Sequence, residues 1–250
     1  RRFTLSVGVL ANYNSALNEG IHFYPGIDAS YRIGDNVRLY GSWNRALRMP
    51  TFTDLYYEGK TNKGNPDLKP EESEAFEVGL KYNTYFLRAH IAGFYRKGKN
   101  MIDWVKEKPE DIWESQNLTK VDNLGFETNL SLLPRELGNE RFFIRKIELG
   151  YAFIHQDKDS EGYISNYALD YLKHKFTAQL SHSIWKGFSA TWYVRWQDRA
   201  GSYTKYENLK PAYEEPYAPY CLVDMKVNWE YQRLNLYAEL NNLLNSTYYD

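Results

Sequence analysis

The sequence has almost no cysteine and no long apolar segment. Cys221 is its one cysteine, which excludes an internal disulfide framework and most thiolate metal sites. No run of apolar residues reaches the ~20 residues that a transmembrane helix needs. The formal net charge of the 250 residues is -1, so there is no basic field and a nucleic-acid partner is not expected.

Aromatic residues, in contrast, are abundant in a chain that is polar on average. The mean hydropathy is -0.66, yet aromatics make up 17% of the residues, with 23 Tyr and 7 Trp. Tyr and Trp have an apolar ring and a polar tip, which suits the boundary between an apolar and an aqueous phase. The composition therefore favours a β structure with two different faces.

Apolar and polar residues alternate through most of the chain. A period of two is typical of strands, and each alternating stretch is near the ~9–11 residues of a tilted membrane strand. The pattern predicts about eleven strands, centred on residues 3–13, 23–33, 37–44, 76–82, 85–96, 123–132, 146–153, 175–184, 188–196, 221–229 and 234–240.

The connections alternate strictly between long polar loops and tight turns. Gly34–Asn36, Asn83–Thr84 and Trp185–Gly187 are tight, whereas the stretches from about Gly98 to Leu118 and from Asp198 to Tyr217 are long and polar. All long loops then emerge on one side. This asymmetry predicts an all-β, antiparallel transmembrane β-barrel with short periplasmic turns and long extracellular loops. A passive porin and a soluble all-β binding module remain as alternatives.

The long connection from Arg45 to Gly79 carries the most distinctive motif. It resembles the signature Arg-x-Pro…Leu-Tyr…Gly-Asn-Pro-x-Leu-x-Pro-Glu-x-Ser…Glu-x-Gly of TonB-dependent outer-membrane receptors. The matching residues, in order, are Arg48, Pro50, Leu55, Tyr56, Gly64, Asn65, Pro66, Leu68, Pro70, Glu71, Ser73, Glu77 and Gly79.

The resemblance implies that residues 1–250 are the C-terminal part of a receptor barrel. About eleven strands would be half of the 22 expected, and Asn241–Asp250 looks like the stretch before the final strand in this family. The plug domain and the final strand would then lie outside this chain, which we interpret as an internal fragment.

The resemblance also implies a function in the outer membrane of a Gram-negative cell. Receptors of this family import scarce nutrients with energy from TonB, and the short loops favour cobalamin or a ferric siderophore as the ligand. Expected partners are outer-membrane lipid, the receptor's own plug domain, TonB, the small-molecule ligand and a surface lipoprotein. No cofactor is expected.

Two sets of site residues follow. The resemblance assigns a structural role to the signature residues Pro50, Asn65, Pro66, Leu68, Pro70, Glu71, Glu77 and Gly79. Side chains that can stack on or charge-pair with a ligand are expected to line the lumen or the mouth: Arg45, Arg48, Tyr56, Tyr57, Arg88, Trp104, Trp113, Tyr203 and Tyr206.

Neither a catalytic nor a strong metal site is expected. His182 and Ser183 are neighbours in a strand and so point to opposite faces, and there is no G-x-S-x-G motif. Asp157, Asp159 and Glu161 lack the distant glutamate of a calcium loop. They are predicted to be a solvated acidic loop, with a weak divalent site as the alternative.

Overall fold

The computed structural model describes residues 2–13, 20–108, 110–138, 141–159, 162–165, 171–207 and 210–248. The strands are β1 Phe3–Tyr13, β2 Ile21–Arg32, β3 Val37–Arg48, β4 Asn62–Lys63, β5 Glu71–Asn83, β6 Leu87–Lys106, β7 Trp113–Leu132, β8 Ile144–Asp159, β9 Ile164–Ser165, β10 Tyr171–Trp185, β11 Phe188–Ala200, β12 Ser202–Glu207, β13 Lys210–Pro216, β14 Tyr220–Tyr231 and β15 Leu234–Leu240. Helix α1 spans Phe52–Tyr56, and a 3₁₀ helix spans Pro134–Leu137. None of the described helices has the length and apolarity to cross a membrane.

Eleven of these strands form one continuous antiparallel path. The order is β1-β2-β3-β5-β6-β7-β8-β10-β11-β14-β15, so each strand pairs with its neighbours along the chain. The predicted all-β class and the predicted strand number are both confirmed. β1 and β15 lie at the two ends of this path, as expected for part of a barrel rather than a closed one.

The turns sort by length as the sequence predicts. Two-residue turns join β10 to β11 and β14 to β15, since Trp185 pairs with Phe188 and Tyr231 pairs with Leu234. Gly187 adopts φ 85° in the first of these turns, a conformation that glycine reaches without steric cost. The tight turns lie at one edge of the sheet, and the long connections lie at the other.

The two faces of the sheet differ in polarity. On one face, large apolar side chains are exposed: Val7 is 64%, Val78 59% and Ile91 51% accessible. On the other face, polar side chains contact one another across strands: Tyr40 contacts Glu77 and His90, and His90 pairs with Glu127. An apolar face of this extent is solvated by lipid in membrane barrels, where strand pairing satisfies the backbone polar groups.

The long connections contain more β structure than the sequence predicts. β6 and β7 each run for 20 residues, so the expected loop between Gly98 and Leu118 is largely an extension of this strand pair. β4 pairs with β7 and β9 pairs with β6. Together they form an upper layer in the order β4-β7-β6-β9. Polar residues on both faces of this extension hide the alternation that marks the membrane strands.

A second correction concerns the loop between β11 and β14. The sequence predicts an irregular polar loop from Asp198 to Tyr217, but β12 and β13 form a separate two-stranded hairpin there. Polar, charged and Tyr residues make up most of its two strands, SYTKYE and KPAYEEP. Its sequence does not alternate between apolar and polar residues, so the period-two signal of a strand is absent.

Candidate ligand-binding mouth

The signature connection begins with a small capped helix. Thr51 is the N-cap of α1, and its Oγ1 accepts a hydrogen bond of 3.1 Å from the Asp54 backbone N–H. The Asp54 carboxylate accepts in return from the Thr51 N–H at 2.9 Å. This reciprocal capping box satisfies backbone donors that a helix of five residues leaves open. Asp54 is buried as a result.

Gly64 and Asn65 close the connection back onto this helix. The Gly64 N–H donates to the Tyr57 carbonyl at 2.6 Å, and the Asn65 N–H donates to the Asp54 carbonyl at 2.8 Å. A Cβ at Gly64 would lie 2.8–2.9 Å from the backbone of Leu55, Tyr56 and Tyr57, so only glycine fits without a shift. The Asn65 side chain accepts from the Asp67 N–H at 2.9 Å. These contacts agree with a structural role for this part of the signature.

Asn117 on β7 fixes the next part of the connection. Its Oδ1 accepts from the Lys69 N–H at 2.8 Å, and its Nδ2 donates to the Lys69 carbonyl at 3.0 Å and to the Asn100 carbonyl at 2.6 Å. Leu68 beside it is only 6% exposed. Sequence analysis does not single out Asn117, because an isolated asparagine in a polar stretch carries no pattern.

Arg48 and Glu71 tie together three strands where this connection ends. The Arg48 Nε and Nη2 groups donate to the two Glu71 carboxylate oxygens at 2.6 Å each, and Glu71 also accepts from the Ile102 N–H at 2.7 Å. The Glu71 side chain is 9% exposed, against 50% for Arg48. Arg48 is predicted to face a ligand, but this geometry engages its guanidinium in holding β3, β5 and β6 together.

Aromatic and cationic side chains meet on the upper layer. The Tyr57 ring contacts the Trp104 ring edge-on, with 6.4 Å between centroids. The Lys106 Nζ lies 4.5 Å from the centroid of the Trp113 ring. Trp113 also anchors the signature connection, since its backbone N–H donates to the Thr61 carbonyl at 2.8 Å. We call Tyr57, Trp104, Lys106 and Trp113 the mouth cluster.

The mouth cluster brings together three of the predicted residues and one that the sequence does not reveal. Tyr57, Trp104 and Trp113 lie on three different segments, and strand pairing places them at one site. Lys106 is the missed member, since Lys is frequent in this stretch. Tyr56 lies apart from the cluster in α1, where its ring contacts Phe52 at 5.0 Å.

Arg45 lies on the opposite face from the predicted lumen side. Arg45 and Arg48 are three residues apart in β3, so their side chains point to opposite faces. Arg45 pairs with Glu72 at 3.5 Å. The Trp43 indole beside it donates to Glu74 at 2.8 Å. Both carboxylates belong to the apolar face of β5. We therefore leave Arg45 out of the ligand-facing set.

The polar face below the mouth carries a connected set of side chains. The Tyr40 hydroxyl donates to Glu77 at 2.7 Å and lies 2.7 Å from His90 Nε2. Gly79 is directly opposite Tyr40, and a Cβ there would lie 2.5–2.6 Å from the Tyr40 ring and hydroxyl. In the signature Glu-x-Gly, Glu77 therefore binds the Tyr40 hydroxyl, and Gly79 leaves the space that the Tyr40 ring occupies. Arg88 lines a hollow on the same face with Asn129, Glu148 and Arg195.

The β12–β13 hairpin is held by one carboxylate. Glu215 pairs with the Lys205 ammonium at 2.8 Å and accepts from the Tyr203 hydroxyl at 3.1 Å. The hydrogen bond from Lys205, reinforced by that from Tyr203, lowers the pKa of Glu215 below its ordinary value, while the same contact raises the pKa of Lys205. Tyr206 lies on β12, but its side chain is outside the part that the structure describes.

Among the acidic residues of the predicted loop, only Asp157 has a described side chain. Asp157 lies within β8, paired in register with Asp122 on β7. Asp159 ends β8, and both its side chain and Glu161 fall outside the described residues. Among the residues described, no group of three or more His, Cys, Asp or Glu side chains is arranged to hold a metal ion.

Comparison with known proteins identifies the family. A family profile described as "TonB dependent receptor-like, beta-barrel" matches residues 2–243. The vitamin B12 transporter of Vibrio vulnificus is 28% identical over 134 residues, which cover 48% of this chain and 21% of that protein. An iron-regulated outer membrane virulence protein of Vibrio cholerae is 26% identical over 201 residues, 72% of this chain and 29% of that protein.

Solved structures share the fold. A mutant ferric enterobactin receptor of Pseudomonas aeruginosa, crystallised with enterobactin, matches with a TM-score of 0.72 and 20% identity over 96% of this chain and 37% of that chain. The chain thus spans only part of each relative, between a fifth and three tenths of the two Vibrio proteins above. Neither the porin nor the soluble-module alternative is favoured. The chain belongs to the TonB-dependent receptors, as part of their β-barrel in the bacterial outer membrane.

Proposed function

We propose that this chain is part of a receptor that imports a metal-chelate nutrient, either cobalamin or a ferric siderophore, with energy from TonB. The relatives support this class of ligand: two are vitamin B12 transporters, and two neighbouring structures of a ferric enterobactin receptor hold enterobactin. Transport rather than catalysis is proposed because His182 Nε2 accepts from the Trp192 indole. Ser183 Oγ is held by two guanidinium groups, so these two residues do not form a Ser–His pair.

The proposal assigns the chain to the C-terminal half of a 22-stranded barrel. The eleven-strand path, and the 36–41% of each solved neighbour that the chain covers, support that division. The plug domain, the final strand and the segment that meets TonB would belong to other parts of the parent protein. A surface lipoprotein partner stays a prediction.

The observation that carries the ligand proposal is the mouth cluster. Trp104, Trp113 and Tyr57 offer ring faces and edges, and Lys106 adds a positive charge beside them. Such a surface suits a planar or macrocyclic ligand that stacks on aromatic rings, especially one with negative charge. Paired strands hold Trp104, Lys106 and Trp113, and backbone hydrogen bonds with Thr53 and Gly64 hold Tyr57. Ordering these residues therefore costs little when the ligand binds.

Equilibrium binding to the detergent-solubilised parent protein tests this proposal. Cyanocobalamin and a panel of ferric siderophores are titrated against the wild type, W104A, W113A and W185A. Loss of a central aromatic anchor costs about 2 kcal/mol or more, so the first two variants should bind about 30-fold more weakly. Trp185 is 67% exposed at the tight-turn end, and its variant should bind like the wild type.

Two outcomes would contradict the proposal in different ways. Unchanged affinity in W104A and W113A would remove the mouth cluster from the binding site. Failure of the wild type to bind any of these ligands would overturn the assignment to metal chelates. A large, steady conductance in planar bilayers would instead indicate a passive pore without a plug.

A further inference from the structure

Aromatic side chains on β3, β5 and β6 form a row across the apolar face of the sheet. The pairing register places Trp43 opposite Phe76 and Phe76 opposite Tyr95. The polar tips of the two outer members point toward the long connections: the Trp43 indole donates to Glu74 at 2.8 Å, and the Tyr95 hydroxyl donates to Asp122 at 2.9 Å. Rings with this orientation mark the level at which the apolar core of a membrane meets the headgroups. We call Trp43, Phe76 and Tyr95 the aromatic row.

An apolar groove lies beside the aromatic row, on its tight-turn side. The next position of the same face is occupied by Gly41 on β3, Val78 on β5 and Gly93 on β6, which pair in register. Two of the three strands therefore have no side chain at this level. The resulting groove measures about 660 Å³ and is bordered by all three rings of the aromatic row. On a face that lipid solvates, an open apolar groove of this kind is suited to an acyl chain.

A charged hollow of about 260 Å³ lies on the other side of the aromatic row. Its charged members are two carboxylates and three cations: Glu72, Glu74, Arg45, Lys97 and Lys99. Neither Lys97 nor Lys99 forms an ion pair within the part of the chain that the structure describes. The nearby Lys120 and Asp122 pair with each other at 3.3 Å and add no net charge. Three cations against two carboxylates leave one positive charge in excess in the hollow, and both of its lysines are available to bind an anion.

The groove and the hollow are continuous, because Trp43 borders both. Arg45, Glu74 and Lys97 stand two residues beyond the aromatic row on the same three strands. The face therefore carries three levels in a fixed order: an apolar groove, rings with polar tips, and a hollow with excess positive charge. A phospholipid has the same order along its length, with acyl chains, a polar glycerol region and a phosphate. A free anion would match the hollow alone, and a neutral lipid would match the groove alone.

We propose that these three levels form a binding site for one phosphorylated lipid, in the membrane leaflet at the end of the sheet where the long connections lie. Its acyl chain lies in the groove over Gly41 and Gly93, and the Trp43 ring packs against the chain where it leaves the groove. Lys97 and Lys99 bind the phosphate as point charges. The site goes beyond the proposed import function and requires only that the sheet lie in a membrane.

Native mass spectrometry of the delipidated parent protein in detergent tests the phosphate contact, with phosphatidylglycerol as the probe. K97Q/K99Q should bind the lipid at least about tenfold more weakly, because the variant loses two charge-assisted hydrogen bonds. K97R/K99R, which keeps both charges, should retain most of the binding. K173Q/K175Q is the matched control, since these two lysines are exposed and have the same spacing, but lie on β10, which β7 and β8 separate from β6.

A second variant tests the groove without changing any charge. G93L places a side chain where the acyl chain would lie, and it should lower the affinity for phosphatidylglycerol by about tenfold, equivalent to about 1.4 kcal/mol. The strand accommodates this side chain, since a Cβ at Gly93 meets only the Gly125 carbonyl at 3.9 Å. G8L is the matched control, because a Cβ at Gly8 on β1 meets nothing within 4 Å and Gly8 lies outside the groove.

Each of four results would overturn the proposal. The first two are an affinity for phosphatidylglycerol equal to that of the wild type in K97Q/K99Q or in G93L, with the variant shown to be folded by heat-modifiable gel mobility. The third is equal binding of diacylglycerol, which lacks the phosphate. The fourth is binding of glycerol 3-phosphate as tight as that of the lipid, which would make the hollow a site for a soluble anion. If K97Q/K99Q fails to fold, K99Q alone provides the comparison, because Lys99 is exposed.

Discussion

Glu71 lies between the Arg48 guanidinium and the Ile102 backbone and binds both at once. Its two carboxylate oxygens accept from Arg48 at 2.6 Å each, and one of them also accepts from Ile102 at 2.7 Å. The nearly buried carboxylate of Glu71, at the start of β5, thus connects Arg48 on β3 with Ile102 in the extension of β6. The Leu-x-Pro-Glu part of the signature ends on this residue.

Replacement of Glu71 should therefore loosen the upper part of the sheet. E71A leaves the Ile102 N–H and the Arg48 guanidinium without their acceptor, which costs about 1–3 kcal/mol of the free energy of unfolding. Urea unfolding in lipid vesicles measures this loss. E72A is the matched control, because Glu72 is the next residue and its contact with Arg45 is a longer, exposed one of 3.5 Å. Equal destabilisation by both substitutions would contradict the role assigned to Glu71.

The orientation of the strands predicts a strong difference between the two faces. Ile91 is 51% and Leu180 37% accessible on the apolar face, and an arginine at either position should cost about 2–4 kcal/mol if it lies near the membrane midplane. Ser181, next to Leu180, lies on the polar face, where its hydroxyl is 3.0 Å from that of Thr191. S181R should have a mild effect in the same unfolding assay. Equal costs on both faces would show that the faces are assigned wrongly.

Gly79 should tolerate no side chain while Tyr40 lies over it. G79A forces the Tyr40 ring away from a Cβ that would be 2.5 Å from its hydroxyl, and overpacking of this kind costs about 1–3 kcal/mol. The shift would also break the contacts of Tyr40 with Glu77 and His90. Gly93 offers the control, because a Cβ there meets only the Gly125 carbonyl at 3.9 Å.

A double-mutant cycle separates this clash from the general cost of removing a glycine. In Y40A the ring is absent, so adding G79A should cost much less than in the wild type. Additive effects would mean that Tyr40 and Gly79 do not interact. The unfolding free energies of the four proteins decide between these outcomes.

The β12–β13 hairpin should lose its central ion pair in acid. The pKa of Glu215 is lowered from 4.5, chiefly by the Lys205 hydrogen bond. A carboxyl group with a depressed pKa in the folded state contributes its stabilisation above pH 4.5 and loses it as the pH falls through the folded pKa. The side-chain carboxyl ¹³C shift of Glu215, titrated from neutral pH into acid, measures that pKa directly.

K205Q serves as the control for this titration. Without the ammonium, the Glu215 pKa should return toward its ordinary value, with only the Tyr203 hydrogen bond still lowering it. A Glu215 midpoint that does not change in K205Q would show that the Lys205 contact does not hold the hairpin.

The sequence predicts the membrane strands well because one physical constraint repeats in all of them. A strand with lipid on one side and polar groups on the other must alternate, so β1, β5 and β11 are visible from residues 3–13, 76–82 and 188–196. In the upper parts of β6 and β7, polar and apolar residues occur on both faces, and Asp103, Val105 and Ser115 are almost fully buried. There is no lipid face to impose alternation there, and β4 and β9, which pair with these parts, come from distant positions in the chain.

The site is less visible from sequence than the fold for the same reason. Tyr57, Trp104 and Trp113 attract attention as aromatic residues in polar stretches, but only the pairing of β4 with β7 shows that they share one surface. Arg48 and Arg45 look alike in sequence, whereas their opposite directions from β3 give them Glu71 and Glu72 as separate partners. For a charged side chain with many possible partners, the pairing register of the strands must be known before its partner can be assigned.

The upper layer joins segments from three different connections. β4 comes from the signature connection, β6 and β7 extend from the membrane strands, and β9 comes from the connection between β8 and β10. Backbone hydrogen bonds run across all of them. Any exchange of ligand preference between relatives by grafting loops would therefore have to transfer all three segments as one set, since a single transplanted loop arrives without the strands that give it its shape.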